Sequence, residues 1–452
     1  MRDAGNVSKP YDLEAMKKAL LQNQTKSFGL FGGEALLMPI EDLEEIFGWA
    51  LQQGFTVSVQ TNGTLITERH IELFRKYKVG VGISLDGPDE LNDSRWAGSL
   101  KETREATARS QWALRRLIEE SQKQPRPGQN RLSPPSLIVT LHRGNASPER
   151  LPRLLDWLLE LDALGLRYLN VHALETDHPL VAARLRLSDE EELQAMKAVA
   201  GLLPRFRNIR HVLPFSDIVA MLRGKDRSEN VICIWNACDP WTTPAVQGVE
   251  GNGERSNCGR TNKEGIDWYK CDTHGHERQL ALYQTPQEWG GCKGCRFFYA
   301  CKGECPGTGI HGDWRNRTDH CTLWYGLYEH FENLLLQIGE RPVSLDPILP
   351  DLERALIAAW STGRSATVED TLRWLRGGCQ GPQPTYDVDS RHGDHWDAQG
   401  RPIQGHGDRP HIDEHGDSGH GDEHGDSWGT VRGHQILGVA PVGKEALGSG
   451  AA

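Results

Sequence analysis

A chain of 452 residues with 37% hydrophobic content can bury a large core and divide into domains, since single cores rarely grow much past ~300 residues. Its formal charge of -11 excludes the concentrated basic face of a nucleic-acid binder. No apolar run approaches the ~18 residues of a membrane span, and no basic region followed by an apolar run marks a signal peptide, which gives a cytoplasmic reading with no membrane partner.

From residue 1 to 175, helical patterns alternate with short β-rich runs, the rhythm of βα units in a parallel sheet or barrel. Strands are expected at Ser27–Phe31, Thr56–Thr61, Val79–Leu85, Ser136–Leu141 and Arg167–Ala173. A helix over Ile40–Gln53 should stop at Gly54, and Ser147 and Ser188 should cap two later helices, the second with acidic residues in its first turn. Gln124–Pro135 holds four prolines and reads as a surface loop.

Between Cys233 and Cys321 the periodicity fades and Gly, Asn, Trp and Cys dominate, as expected where metal rather than a hydrophobic core organises the backbone. Nine of the ten cysteines lie there, and only Cys379 lies beyond. In a reducing compartment such crowding points to metal ligation rather than disulfides. Helices should follow over Asp319–Ile338, Asp346–Trp360 and Thr367–Arg376, the last stopped by Gly377 and Gly378. From Gln380 the composition collapses into Gly, His, Asp and Ser, with His-Gly-Asp at His392, His406, His415, His420 and His424. Apolar residues are too sparse to fold there, so this tail reads as disordered, with metal binding or mimicry of a substrate as further readings.

The cysteine spacing is Cys238, then Gly253-x4-Cys258, then Cys292-x2-Cys295-x5-Cys301-x3-Cys305, then Cys321. It resembles the SPASM domain of peptide-modifying radical S-adenosylmethionine (SAM) enzymes. The N-terminal half adds Gly32-Gly33-Glu34 after the first expected strand, Gln60-Thr61-Asn62-Gly63 after the second and Ser84-Leu85-Asp86-Gly87 after the third, with Arg95 nearby. These resemble that family's strand-end motifs in order and spacing, although Ala35 stands where the family has proline. The resemblance implies an α/β fold, a partial (β/α)6 barrel followed by a small cysteine-rich domain, C-terminal helices and the disordered tail.

By the same resemblance, Gly32, Gly33, Glu34, Gln60, Asn62, Ser84, Asp86 and Arg95 line a SAM pocket, with the serine near the ribose and the arginine toward the carboxylate, a role that suits a bidentate guanidinium. Thr140, Asn145, His172 and Glu175 are further pocket candidates from position alone. One auxiliary [4Fe-4S] cluster would take Cys233, Cys238, Cys258 and Cys305, and a second Cys292, Cys295, Cys301 and Cys321, four thiolates each. Zinc held by paired C-x2-C elements is the alternative for these thiols. Cys271 and Cys379 read as incidental thiols. The loop Gly312–Arg317 reads either as a donor to cluster sulfurs or as a solvated basic loop. In sulfatase maturases an aspartate follows a cluster cysteine and acts as base; Gly259 follows Cys258 here, so that role does not transfer.

No cysteine precedes Cys233, so the family's C-x3-C-x2-C loop, which holds the SAM-cleaving cluster, is not in this sequence. The expectation is a truncated start that also omits the barrel's first strand, with a third [4Fe-4S] cluster only if that segment is present, and with the chain as written unable to cleave SAM reductively. A natural relic whose clusters serve binding is the competing account.

The expected domains are residues 1–230 (barrel), 231–330 (iron-sulfur), 331–379 (helices) and 380–452 (tail). The expected function is a maturase that modifies a peptide or protein by hydrogen abstraction, with ferredoxin or flavodoxin as reductant and the peptide as partner. The rival is a non-catalytic iron-sulfur protein that binds a peptide and delivers it.

Overall fold

Alternation along each strand sets the architecture. The computed structural model describes residues 11–22, 26–176, 178–227, 246–256, 258, 260 and 276–377, with strand segments at 395–396, 402–403 and 434–439. Strands β1 (Ser27–Gly32), β2 (Thr56–Thr61), β3 (Gly80–Ser84), β4 (Ser136–Leu141), β5 (Tyr168–Ala173) and β6 (His211–Leu213) pair in parallel, each with the next. Five of these match the expected strands to within a residue or two. The short β6 was not expected, since three residues carry too little periodicity to read.

One face of these strands is apolar and buried: Phe28 and Leu30, Val57 and Val59, Val81 and Ile83, Leu137 and Val139, Leu169 and Val171. They share one core with Leu43, Ile46 and Phe47 of the helix Ile40–Gln52, Ile71 and Phe74 of Glu68–Tyr77, Leu114 and Leu117 of Leu100–Gln122, and Leu154 and Leu158 of Leu151–Leu164. Each such side chain contributes about 1.5–3 kcal/mol by leaving water. The opposite face is mostly small and polar: its alternate positions include Gly29, Ser58, Gln60, Gly82, Ser84, Ser136, Thr140, Asn170 and His172, with Phe31, Ile138 and Tyr168 the large exceptions. A Cβ on Gly82 would lie 2.1 Å from Gln60 Oε1, so glycine is what lets the Gln60 side chain cross that strand.

Helix ends follow local chemistry. Ser188 caps Asp189–Ala200 in a capping box with Glu191, as expected. Ser147 does not cap a helix. It closes the short helical turn Arg143–Ala146, its carbonyl accepts from the Leu151 amide, and Leu151–Leu164 begins after Arg150. Behind that helix, the buried Asp162 carboxylate accepts from the backbone amides of Arg207, Asn208 and Ile209, fixing the approach to β6.

The expected C-terminal helices appear as Cys321–Gln337, Leu349–Trp360 and Val368–Gly377. Asp226 ties the last to the body by accepting from the Val368 and Glu369 amides. β6 forms one edge of the sheet, and at the opposite end, past β1, lie β7 (Val246–Glu250) and β8 (Arg255–Ser256), which pair antiparallel with each other. Two short strands, β9 (His395–Trp396) and β10 (Pro402–Ile403), pair with each other, and β11 (His434–Val439) lies parallel between β1 and β7. These strands fall within the segment read from composition as a disordered tail, whose other residues lie outside the described ones. Every N–H and C=O along the β1 edge needs a partner, and β11 supplies a row of them where sparse apolar content gave no sequence signal.

Candidate functional site

The C-terminal ends of parallel strands form one rim, where open α/β sheets place their ligands. Gly32 ends β1 and Gly33 follows it, both exposed. Glu34 is buried, and its carboxylate accepts from Thr61 Oγ1 at 2.6 Å, the Asn62 amide at 2.9 Å and the Leu36 amide at 3.1 Å. Its first role is to tie the β1 end to the β2 end. Asn62 Oδ1 accepts from the amide and hydroxyl of Thr64, so its carbonyl side shapes a local turn. Gln60 Nε2 donates to Ser84 Oγ at 2.7 Å across the polar face.

Asp86 is the hub of the next strand end. Its carboxylate takes Arg95 Nε at 2.6 Å and Nη2 at 2.9 Å, and the Thr140 amide at 2.9 Å. His142 Nε2 lies 3.7 Å from the same carboxylate. Burial alone would raise the Asp86 carboxyl, but His142 and Arg95 hold it below the usual carboxylate range. His142 Nδ1 accepts from the Gly144 amide, and its Nε2 lies 2.8 Å from Ser94 Oγ, so the ring is held in place beside the Asp86 carboxylate. Asp86 thus fixes Arg95, and Arg95 offers the rim a pre-oriented guanidinium. Asn145 is corrected from pocket candidate to strut: fully buried, it donates to the carbonyls of Asp86 and Thr140 and accepts from the His142 amide.

At β5 the rim meets the cysteine-bearing segment. Arg260 Nη1 pairs with Glu175 at 3.0 Å, and Arg260 Nη2 lies 3.2 Å from His172 Nδ1. Gly307 packs so close that a Cβ there would lie 2.6 Å from the Arg260 carbonyl. Cys258 and Cys305 flank this contact, and the Cys305 thiol, raised by burial, is raised further by Glu304 and Cys258.

A second group gathers nearby. Burial pushes the Cys301 thiol well up, and Cys292, Cys321 and Cys295 push it further, so these four thiols lie within electrostatic reach of one another. Cys292 is raised to about 12, by burial first and then by Cys295 and Cys321. Cys258, Cys292, Cys295, Cys301, Cys305 and Cys321 are all free thiols. Among the described residues, no three His, Cys, Asp or Glu side chains close on a single ion. Four soft thiol donors in one group match the donor set of an iron-sulfur cluster. Cys233 and Cys238, the other two expected ligands, and the incidental Cys271 and Cys379 lie outside the described residues.

Sequence reasoning missed Arg278. It is 1% exposed and donates to the carbonyls of Trp314, Lys302, Gly303 and Asn316. It thereby pins Lys302–Gly303–Glu304, three successive positive-φ residues between Cys301 and Cys305. The Gly312–Arg317 loop is anchored rather than simply solvated, since Arg317 Nη1 donates to the Gly291 carbonyl at 2.6 Å, next to Cys292. No local pattern announces a buried arginine whose partners are carbonyls 24 to 38 residues away.

Residues 2–120 match the family model of the Radical SAM superfamily. Over 88 residues, 18% of this chain, the sequence is 35% identical to a serine-type anaerobic sulfatase-maturating enzyme of Bacteroides thetaiotaomicron and to a cysteine-type one of Clostridium perfringens. Over 97 residues it is 32% identical to an uncharacterized protein of Methanothermobacter thermautotrophicus. The aligned stretches span 21%, 24% and 36% of those relatives' own lengths. Among solved structures, native anSMEcpe with bound AdoMet is similar at TM-score 0.46 and 18% identity, covering 73% of this chain and 92% of that one.

Proposed function

We propose that this chain, which matches the Radical SAM superfamily model over residues 2–120, is a SAM-dependent maturase that modifies a peptide or protein and holds iron-sulfur clusters on its cysteine-rich segment. The observation that carries the reading is the rim itself. One sheet edge collects Gly33, the Gln60–Ser84 pair and the Asp86–Arg95 pair, and Arg260 joins that rim to Cys258 and Cys305.

In this reading Arg95 binds the SAM carboxylate through a guanidinium that Asp86 has already oriented, so little ordering remains on binding. Exposed glycines at the β1 end allow close backbone approach to the methionine moiety. The Gln60–Ser84 pair places a hydroxyl on the inner face near the ribose. Cys292, Cys295, Cys301 and Cys321 would hold one [4Fe-4S] cluster, and Cys258 and Cys305, with Cys233 and Cys238, a second. Where the C-x3-C-x2-C segment that this sequence does not contain is supplied, its cluster would pass one electron from ferredoxin or flavodoxin to SAM, which would split into methionine and a carbon-centred radical able to take hydrogen from the substrate. The protein's share is to hold both partners at the rim and exclude water.

The sulfatase-maturating relatives support a peptide as the partner. The test is anaerobic loading with iron and sulfide, followed by metal analysis and SAM titration. Roughly eight irons per chain from the two auxiliary groups and saturable SAM binding that Arg95→Leu abolishes are the expected results. Zinc in place of iron, or wild-type protein blind to SAM, would overturn the reading.

A further inference from the structure

His172 sits on the polar face of β5, in register with Thr140 of β4. Its Nδ1 faces Arg260 Nη2 at 3.2 Å. A guanidinium has donors and no acceptor, so Nδ1 must present its lone pair, and the neutral ring then carries its proton on Nε2. That Nε2 is shielded from solvent and has no hydrogen-bond partner among the described residues. Burial, and then the Arg260 charge, hold the ring well below its usual range, at about 3, against a smaller opposing pull from Asp86. Arg260 is itself neutralised by Glu175 at 3.0 Å. The pocket therefore presents a single N–H with a fixed tautomer beside an ion pair of no net charge.

We propose that His172 donates its Nε2–H to a neutral acceptor on a bound reactant, a hydroxyl, carbonyl or ring nitrogen, and that Arg260 is the positioning residue that keeps the proton on Nε2. This rests on the function proposed above. A buried donor without a partner disfavours the empty site relative to one in which a ligand supplies the acceptor. The acceptor belongs either to SAM or to the peptide, and the two sources give different results.

The full chain, loaded with iron and sulfide and 15N-labelled at histidine, is observed by direct 15N detection. His172 is assigned by the signals lost in His172→Gln. A protonated Nε2 and an acceptor Nδ1 are expected from about pH 5 to about pH 8, with Nδ1–H appearing in Arg260→Met. An Nδ1–H ring or an imidazolium in wild type at neutral pH overturns the proposal. SAM is then added, followed by a synthetic peptide with a central serine or its cysteine counterpart.

A shift of the His172 Nε2 signal on adding SAM places the acceptor on SAM; a shift only on adding peptide places it there. In either case His172→Phe should weaken binding of that molecule about tenfold, and His172→Gln, which keeps an N–H, should recover most of it. Saturable SAM binding with no shift from either addition, and equal affinity in His172→Phe, overturns the proposal. If wild type fails to bind SAM, the functional reading falls, while the tautomer of the SAM-free protein still decides the role of Arg260.

Discussion

Arg95 grips Asp86 through two parallel hydrogen bonds, Nε to Oδ2 at 2.6 Å and Nη2 to Oδ1 at 2.9 Å. Asp86 is 4% exposed, so Arg95→Leu leaves a buried carboxylate short of its cation. Breaking a fully buried pair from one side costs about 3–5 kcal/mol, and the cost here falls below that range because the Arg95 side chain is 32% exposed. The expected outcome is a lowered melting temperature together with lost SAM binding. Asp86→Asn should fold better than Arg95→Leu, because an amide is less costly to bury unpaired, yet still bind SAM about tenfold more weakly, because the guanidinium is no longer locked. Calorimetry of both variants with SAM checks the split. Unchanged affinity in Asp86→Asn would show that Arg95 needs no orienting partner.

The buried pair Arg75–Glu120, at 2.6 Å, gives a pH prediction. Burial would raise the Glu120 carboxyl, but Lys123, Arg75 and Arg116 together lower it to about 2 from an ordinary 4.5. A carboxylate lowered on folding adds stability above its unfolded value, and that stability is lost as pH falls through the folded one. Wild type should therefore lose stability between about pH 4.5 and about pH 2 more steeply than Glu120→Gln. Parallel acid titrations of the two proteins would refute the assignment.

Two glycines should respond oppositely to alanine. At Gly82 the new Cβ would meet the end of the flexible Gln60 side chain at 2.1 Å, so Gln60 swings aside. Stability should change by about 1 kcal/mol, while Ser84 loses its donor and SAM affinity falls. At Gly291 the Cβ would lie 2.0 Å from the Thr285 backbone carbonyl, which cannot rotate away. There the turn carrying Cys292 must shift, and thermal stability and bound iron should fall together.

What the sequence made legible was periodic or clustered. Five strands showed because Val57, Val59, Leu137 and Val139 alternate with polar neighbours, and the thiol grouping showed because its spacing is local. What it hid was long-range. Asp162 answers three amides more than 40 residues away, and Asn145 reaches the Asp86 carbonyl 59 residues back. Neither leaves a mark on its own stretch of chain. Ser147 misled because a serine before an apolar run reads as a cap, whereas here it serves a turn that ends one helix before the next begins.

The Asp162 contacts predict a local effect. Asp162→Ala removes the acceptor for the Arg207, Asn208 and Ile209 amides. Leaving buried donors unmet costs about 1–3 kcal/mol, and the loss falls on the segment leading into β6. Hydrogen exchange should accelerate at residues 207–213 and stay unchanged in β2 and β3. Uniform acceleration would show that the carboxylate supports the whole sheet.

Arg278 offers the sharpest separation of packing from charge. Its guanidinium reaches four carbonyls on two segments, at 2.7 to 3.3 Å, and is sealed from solvent. A lysine ammonium is compact and lacks the planar fork, so Arg278→Lys cannot span both segments. Both Arg278→Lys and Arg278→Met should release Lys302–Gly303–Glu304 from its positive-φ path, and with it the fixed offset between Cys301 and Cys305. The readout is iron retained per chain after gel filtration: a deficit in both variants, with the 302–304 amides newly open to exchange, is expected. Full iron retention in Arg278→Lys would show that one positive charge suffices and that the four-carbonyl geometry is incidental.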